Sequence, residues 1–263
     1  MAGLDEVRAV VVVLRVRDRA NGGVTIGSGR QPGRRDLCGD GGIWDVGGRV
    51  SPDRAGRGRR GRTWTSEPGN LYASFVLRPG CAPMQAAQLT FVAALAVRDL
   101  LSIYLNNSDS IACKWPNDVL VGGRKISGIL LETSTSGSGV VDWLGLGIGV
   151  NLRHHPDIGD RHPATNLCAE GAGEVDASSA LENLAIEFAK RRTEWLQGGF
   201  ASVREAWLKH AYGLGRTAHI KLENASHSGT FMGIDESGAL RLEADGGAER
   251  QFAAGEVTFE GSG

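Results

Sequence analysis

The pattern of hydrophobic and polar positions becomes regular at residue 71, where it predicts a strand followed by a helix. Residues 71–77 alternate apolar and polar side chains, as a half-buried strand does, and Pro79-Gly80 ends the run. Residues 84–105 predict a helix, because apolar positions recur at helical spacing on one face: Leu89, Val92, Ala93, Ala96 and Leu100. Upstream, the apolar run 9–14 is too short for the core of a signal peptide and predicts a buried strand.

Short apolar segments after this helix predict four strands, around 111–114, 118–122, 125–133 and 139–150. Glycine-rich turns separate them, which favours tight connections between neighbouring strands. The last two segments predict a hairpin. Its second strand, apolar from Val140 onward, is hydrophobic enough to lie at the centre of a sheet.

Two more helices are predicted before residue 213, where the pattern changes from helices to short strands. The first spans about 178–197 and begins at a capping box formed by Ser179 and Glu182. Gly198-Gly199 ends it, and a third helix follows over 200–211.

The C-terminal residues, 213–260, predict a small β module. They contain three or four short strands separated by polar turns at Glu223-Asn224, 235–238 and 245–247. A segment of this length is the size of a small β-barrel. We detect no internal repeat along the chain.

Residues 21–62 have little apolar periodicity and an unusual composition. Gly and Arg supply 22 of these 42 positions. Such a stretch has few side chains to bury and much chain entropy to lose, so we expect most of it to be loop or disordered. An RNA-binding Gly/Arg tract is an alternative interpretation, but Trp44 is its only aromatic residue.

Bulk composition excludes several classes of protein. The chain has 263 residues and a formal net charge of −1, so no overall charge draws it to nucleic acid or to an anionic membrane. Its 4 cysteines form no CxxC pair, which argues against a structural zinc site or a dithiol redox site. No run of apolar residues is long enough for a membrane helix. We therefore expect a cytoplasmic protein with reduced thiols.

The first candidate for chemistry is the cationic loop Gly56–Arg62, followed by Trp64. Alternating glycine and arginine lets the backbone approach an anion while guanidinium groups reach its oxygens. The ring of Trp64 offers an aromatic face to a base beside that anion. The alternative interpretation is a solvated basic loop.

A second candidate begins at Lys114 and continues through Pro116 to Asn117 and Asp118. Pro116 fixes the chain direction. A lysine with an amide and a carboxylate supplies what a phosphate and its Mg²⁺ need: a cation for phosphate oxygens and oxygen ligands for the metal. An Asx-type turn with an incidental lysine fits the same residues.

Further along, Lys125 precedes an apolar strand and is predicted to point into a pocket. The alternative interpretation is an ordinary surface lysine at the end of a strand, but Gly128, which lets a ligand approach the backbone closely, favours a site. Asn151 stands at the end of the next strand, where its side chain could hydrogen-bond a ribose or a phosphate.

Five segments in this order resemble the biotin protein ligase family, the biotin–[acetyl-CoA-carboxylase] ligases: Gly56–Arg62 with Trp64, Asn70–Ser74, Lys114–Val119, Gly123–Glu132 and Gly147–Leu152. The resemblance covers about residues 54–260. It implies an α/β (α+β) fold in which a mixed sheet flanked by helices forms a catalytic domain related to lipoyl ligases. It also implies an SH3-like C-terminal β-barrel domain.

On this basis we divide the chain into three parts. Residues 1–55 are an atypical Gly/Arg-rich N-terminal part of the catalytic domain, 56–212 its ligase-like core, and 213–263 the SH3-like domain.

The resemblance implies a two-step reaction with ATP, biotin and Mg²⁺. The carboxylate of biotin attacks the α-phosphate of ATP, giving biotinyl-5′-AMP and pyrophosphate. A lysine of a biotin carboxyl carrier domain then attacks the mixed anhydride and forms an amide. The two reactants repel each other, so cations must neutralise both and hold them in line.

Together with the residue patterns, the resemblance assigns roles to individual positions. Catalysis falls to Lys125, Arg59 and Lys114. Biotin binding falls to Arg57, Gly58, Arg59, Lys125 and Gly128. ATP binding falls to Arg59, Arg62, Trp64, Lys114, Asn117, Asp118 and Asn151, and Asp118 is also the expected Mg²⁺ ligand.

The sequence departs from the family pattern near its start. No Ser-Thr-Asn motif, which binds the ureido ring of biotin in the family, occurs before Gly56, and Asp53 stands where a Gln is expected. Residues 15–53 do not resemble the family, and their composition fits the hypothesis of an out-of-frame stretch of GC-rich coding sequence. The departures affect the biotin contacts, whereas the ATP half of the site is complete.

The expected partner is a biotin carboxyl carrier protein, with a homodimer as a further expectation. The chain has no room for an N-terminal winged helix, so we do not expect the DNA-binding repressor form or a DNA partner. Two other functions stay open: a lipoate or other acyl-adenylate ligase, and a degenerate, non-catalytic nucleotide- or RNA-binding relative.

Overall fold

A computed structural model describes residues 11–15, 56–58, 61, 63–64, 67–135, 137, 139–157 and 163–260. The sequence predictions for the rest of the Gly/Arg-rich region lie outside the described residues, as do the roles expected for Arg59 and Arg62.

The elements up to residue 150 follow the predicted order with two corrections: residues 56–57 and 63–64 form short strands where a loop was expected, and the single helix predicted over 84–105 is two helices. Strands of two residues are too short to show apolar alternation in the sequence. The strands are β1 (Val11–Arg15), β2 (Gly56–Arg57), β3 (Thr63–Trp64), β4 (Leu71–Leu77), β5 (Ile111–Lys114), β6 (Asp118–Val121), β7 (Arg124–Thr135) and β8 (Val141–Val150). Between β4 and β5 lie the helices α1 (Pro83–Ala87) and α2 (Leu89–Tyr104), followed by a 3-10 turn at Ser108–Ser110. The predicted hairpin is β7 with β8, although Val140 precedes the strand and is exposed.

Six of these strands form one sheet in the order β1-β4-β8-β7-β6-β5. The strands pair antiparallel, and isolated parallel bridges join Cys113 to Ala211 and Lys125 to Ala164, so the sheet is mixed. The short pair β2 and β3 forms a separate hairpin.

Helix α2 covers one face of the sheet and is mostly apolar. It buries ten side chains: Leu89, Phe91, Val92, Ala93, Ala94, Leu95, Ala96, Val97, Leu100 and Leu101. Among the described residues, the stretch Pro83–Tyr104 is the single helical segment long and apolar enough to cross a membrane by length and composition. Its burial against the sheet is that of the core helix of a globular domain.

Helix α3 (Ala177–Lys209) packs against α2 and β4. Phe188 meets Phe75 of β4 with ring centroids 4.7 Å apart, and Arg191 pairs with Asp99 of α2 at 2.6 Å. Gly199 has φ 67° and ψ −166°, so α3 consists of two helical parts separated at the predicted glycine break.

The start of α3 corrects one prediction. The N-cap is Asp176, whose carboxylate accepts a hydrogen bond from the Ser179 backbone N–H at 2.9 Å. Ser179, predicted as the capping residue, lies inside the helix instead. An aspartate accepts this bond as well as a serine does, and the cap shifts by one turn.

The C-terminal residues form a second sheet of five antiparallel strands, where three or four were predicted. These are β9 (Thr217–Lys221), β10 (Ser226–Ile234), β11 (Leu240–Glu243), β12 (Glu249–Phe252) and β13 (Glu256–Phe259), in the order β12-β11-β10-β9-β13. In β12 only Phe252 is buried, so this strand has no apolar alternation for a sequence pattern to detect.

Candidate active site

Two glycines on the central strands form the floor of the site. Gly128 of β7 and Gly149 of β8 are paired in register. The indole of Trp64 lies over both: a Cβ at Gly128 would stand 2.7 Å from its Cζ3, and a Cβ at Gly149 would stand 2.8 Å from its Cε2. Such distances are too short for any side chain, so both positions require glycine while Trp64 keeps its place.

Lys125 lies at the edge of this floor and is held from two sides. Its Nζ is 2.6 Å from Oδ1 of Asp118 on β6, and 5.5 Å from the centre of the Trp64 ring. The two charged side chains are 29% and 21% exposed, so water screens this ion pair only in part. Its effect is to fix the direction of the ammonium group beside an aromatic face.

Lys114 brings a second cation to the same carboxylate. It ends β5 and is paired in register with Asp118. Burial lowers the pKa of Lys114, and the positive charge of Lys125 acts in the same direction, while Asp118, Tyr212 and Glu256 partly oppose the shift. Two ammonium groups that share one neighbouring carboxylate favour an additional anion.

Asn117 ties this region to the sheet. Its side-chain amide donates a hydrogen bond to the Ile129 carbonyl, and the Ile129 N–H donates to the Asn117 carbonyl at 2.9 Å. The preceding Trp115–Pro116 peptide bond is cis. The Asn117 amide nitrogen therefore helps to hold β6 against β7, next to the expected phosphate site.

Asp118 is the carboxylate available to a metal ion. The described residues contain no group of three or more His, Cys, Asp or Glu side chains that would cage an ion. Mg²⁺ is commonly held by one or two carboxylates together with substrate phosphates and water, so a single carboxylate between two lysines fits Mg²⁺ that arrives with a nucleotide.

Asn151 directly follows β8 and is 3% exposed. Its side-chain amide donates to the Thr165 carbonyl at 3.0 Å, and its backbone N–H donates to the Ile126 carbonyl at 2.9 Å. Lys125 forms a further backbone bond with Pro163 at 2.8 Å. This geometry gives Asn151 a part in holding the segment 163–168 against β7.

Asn70 is a buried residue to which sequence reasoning assigned no role. Its Oδ1 accepts hydrogen bonds from three successive backbone N–H groups, those of Leu152, Arg153 and His154. Its Nδ2 donates to the His154 carbonyl at 2.8 Å. It thus fixes the turn that follows β8, and its one signal in the sequence is its place before the strand of the Asn70–Ser74 segment.

The structure brings together Trp64, Lys114, Asp118, Lys125 and Gly128. Arg57 and Gly58 lie at the β2–β3 hairpin, in which the backbone of Gly56 pairs with that of Trp64.

The chain matches two protein-family models and is similar to several curated proteins. Residues 49–151 match the biotin/lipoate A/B protein ligase family, and residues 213–259 match the biotin protein ligase C terminal domain. A biotin--[acetyl-CoA-carboxylase] ligase of Paracoccus denitrificans is 44% identical over 211 residues, which cover 79% of this chain and 87% of the relative. The bifunctional ligase/repressor BirA of Bacillus subtilis is 32% identical, and the match covers 76% of this chain and 62% of BirA.

Solved structures agree with these sequence matches. The biotin protein ligase of Aquifex aeolicus in complex with biotin and ATP has a TM-score of 0.65 at 27% identity, covering 77% of this chain and 83% of that one. The Leishmania major enzyme in complex with biotinyl-5-AMP has a TM-score of 0.52 at 26% identity, covering 76% and 85%. The chain therefore belongs to the biotin protein ligase family.

Proposed function

We propose that this protein is a biotin–protein ligase that uses ATP to activate biotin as biotinyl-5′-AMP. It then transfers the biotinyl group to a lysine of a biotin carboxyl carrier domain. The observation that carries the proposal is the position of the Lys125 ammonium, fixed between Asp118 and the Trp64 ring at the edge of the Gly128–Gly149 floor.

The first step needs positive charge because both reactants are anions. A carboxylate oxygen of biotin bonds to the α-phosphorus of ATP, the bond to the β-phosphate oxygen breaks, and pyrophosphate leaves with the electron pair. Lys125 contacts the biotin carboxylate and the α-phosphate, and Lys114 contacts the phosphates, so their repulsion falls as the atoms approach. Asp118 would hold Mg²⁺ that arrives with the nucleotide, and the ion would supply positive charge to the phosphate oxygens.

In the second step the amine of the carrier lysine attacks the acyl carbon of the adenylate. The amide bond forms, AMP leaves, and the amine loses its proton to solvent. By the family resemblance, Arg57, Gly58 and Arg59 belong to the loop that covers the adenylate, and this cover keeps water from hydrolysing it. The same resemblance assigns Arg59 and Arg62 to phosphate binding.

The floor and the indole divide the site into two halves. The family resemblance assigns Gly128 to the biotin side, although the Trp64 indole fills the space directly over this glycine. The Trp64 ring contacts the adenine of ATP. The indole lies directly on Gly128 beside Lys125, which puts it at the boundary between the biotin and nucleotide halves. Asn117 and Asn151 complete the nucleotide side by holding the strands that carry these groups.

A cytoplasmic location, a homodimer and the absence of a DNA partner belong to the same proposal. They follow from the family resemblance and from the near-neutral net charge of −1, which gives no overall attraction to DNA or to a membrane.

Replacement of Lys125 tests the catalytic assignment. Lys125→Ala removes the ammonium that bridges the two anions, so we expect biotin-dependent pyrophosphate release from MgATP to fall by about 100-fold or more, the usual loss for one charged transition-state contact. The matched control is Arg124→Ala, the neighbouring cation, whose guanidinium pairs with Glu170 instead of facing the floor. Both variants should keep the circular dichroism spectrum and melting temperature of the parent.

Turnover of the Lys125→Ala variant equal to that of the control would remove the catalytic assignment. The substrates tested distinguish the rival functions. Pyrophosphate release with lipoate in place of biotin identifies a lipoate ligase. Binding of MgATP without pyrophosphate release from any acid identifies a non-catalytic relative.

A further inference from the structure

The expected phosphate-binding residue Lys114 lies between two residues that are each anchored to the C-terminal part of the chain. On one side, the Cys113 N–H donates to the His210 carbonyl at 2.7 Å, and the Tyr212 N–H donates to the Cys113 carbonyl at 2.9 Å. This pair of bonds extends the main sheet beyond its edge strand β5. The backbone just before Lys114 is therefore fixed by the segment that leads into the C-terminal sheet.

On the other side, the indole of Trp115 reaches a turn of the C-terminal sheet. Its Nε1 donates to the Gly238 carbonyl at 3.1 Å, across 123 positions in sequence, and the side chain is 2% exposed. A buried hydrogen bond of this kind fixes the rotation of the indole, and with it the backbone between Lys114 and Asp118.

The turn that receives this bond is itself tightly specified. Oδ1 of Asp235 accepts from the Ser237 N–H at 2.8 Å, the Ser237 hydroxyl at 2.7 Å and the Ala239 N–H at 2.9 Å. Gly238 has φ +88°, and a Cβ there would lie 2.6 Å from the Phe91 ring of α2. The turn thus fits against α2 in one position and presents its carbonyl to Trp115.

The segment that fixes the backbone before Lys114 also approaches the turn between β6 and β7. The Tyr212 hydroxyl lies 3.3 Å from the place of a Cβ at Gly123 in that turn.

We infer that the C-terminal sheet positions Lys114 for the phosphates of the nucleotide, through the Asp235–Gly238 turn and the Trp115 indole. Trp115 and Asp235 are positioning residues, since neither contacts the substrate in this scheme. The inference rests on the proposed function. It adds that affinity for the nucleotide depends on a turn of a second sheet.

Two substitutions at the ends of this connection test it. Trp115→Phe keeps an aromatic ring but loses the N–H, and Asp235→Ala loosens the turn. We expect each to raise KM for MgATP by about five-fold, the effect of one ordinary hydrogen bond, with KM for biotin changed less than about two-fold. Because both changes act through the same contact, the double variant should be no worse than the weaker-binding single variant.

Two further variants serve as a control and as a milder substitution in the turn. Glu249→Gln breaks an exposed ion pair with Arg241 in the same sheet and should leave both KM values unchanged. Ser237→Ala removes one hydroxyl bond to Asp235 and is a milder change of the turn should Asp235→Ala fold poorly. Its KM for MgATP should rise in the same direction, by a smaller factor.

A parallel rise in both KM values, or effects of Trp115→Phe and Asp235→Ala that add, would overturn the inference, because the turn would then support the fold as a whole. A parent protein that releases no pyrophosphate with biotin and MgATP would instead count against the proposed function. In that case the binding of MgATP alone, measured by titration calorimetry, still tests the positioning role in the same variants.

Discussion

Gly128 and Gly149 lie side by side on β7 and β8, and neither can carry a Cβ while Trp64 keeps its position. The sequence predicts a close approach to the backbone at Gly128, and the group that makes this approach in the structure is an indole of the same chain. The position of the Lys125 ammonium also involves this indole, since its Nζ lies over the ring and beside Asp118. At the scale of single residues, the site requires glycine at two positions as well as charged side chains at others.

Asn70 offers a prediction at the same scale. Asn70→Ala leaves the N–H groups of Leu152, Arg153 and His154 without their shared acceptor in a largely buried turn. We expect the free energy of unfolding to fall by about 3 kcal/mol, measured by urea denaturation. Asn106→Ala, at an exposed position, is the control and should change it by less than about 0.5 kcal/mol. Equal effects of the two substitutions would contradict the anchoring role of Asn70.

At the scale of elements, clear local signals in the sequence predict where helices begin and end. The glycine pair at 198–199 predicts the end of a helix, and Gly199 does divide α3 into two parts. The N-terminus of α3 was placed at the wrong capping residue, because Asp176 and Ser179 both carry suitable acceptors and only the fold selects between them. The strand β12 escaped detection because three of its four side chains are exposed.

The break in α3 can be tested by removing its glycine. Gly199 has φ +67° and ψ −166°, a conformation that residues with a Cβ rarely adopt, so Gly199→Ala should lower the free energy of unfolding by about 1–3 kcal/mol. Gly198→Ala is the neighbouring comparison. A Cβ there meets the Ser202 hydroxyl, which can rotate away, and the loss should be smaller. Thermal unfolding of both variants measures the difference, and the reverse order would show that α3 does not need this backbone conformation.

At the scale of the whole molecule, the two sheets meet at the residues next to Lys114. Cys113 is bonded to His210 and Tyr212, and Trp115 is bonded to Gly238. Burial raises the pKa of the Cys113 thiol to about 12, which keeps this junction free of thiolate at neutral pH. Lys114 is thus held in a largely desolvated place, where its own charge is costly unless an anion is bound.

The pH dependence of nucleotide binding should show the effect of burial on Lys114. Burial lowers the pKa of Lys114, so its positive charge is lost as pH rises, at a lower pH than for an ordinary lysine. Because the charged form binds phosphate, KM for MgATP should rise in the alkaline range. Lys114→Arg should lose this dependence, since a guanidinium stays protonated. Glu256→Gln should shift the rise to lower pH, because Glu256 favours the charged form.

Kinetics over the alkaline range, with exposed Lys209→Arg as the control, measure these profiles. Profiles that are identical in the parent protein and in Lys114→Arg would show that another group controls the dependence.

The sequence by itself determined most of the strands and helices from residue 71 onward, although not β12 or the division between α1 and α2, and it singled out the lysines, the carboxylate and Gly128 of the site. These features are local: hydrophobic periodicity, turn residues and short charged motifs act within a few positions of the chain. Only the tertiary structure decided that Trp64 lies on Gly128 and Gly149 and that Trp115 meets Gly238. Such contacts join residues up to 123 positions apart, and only the packing of the whole chain brings them together.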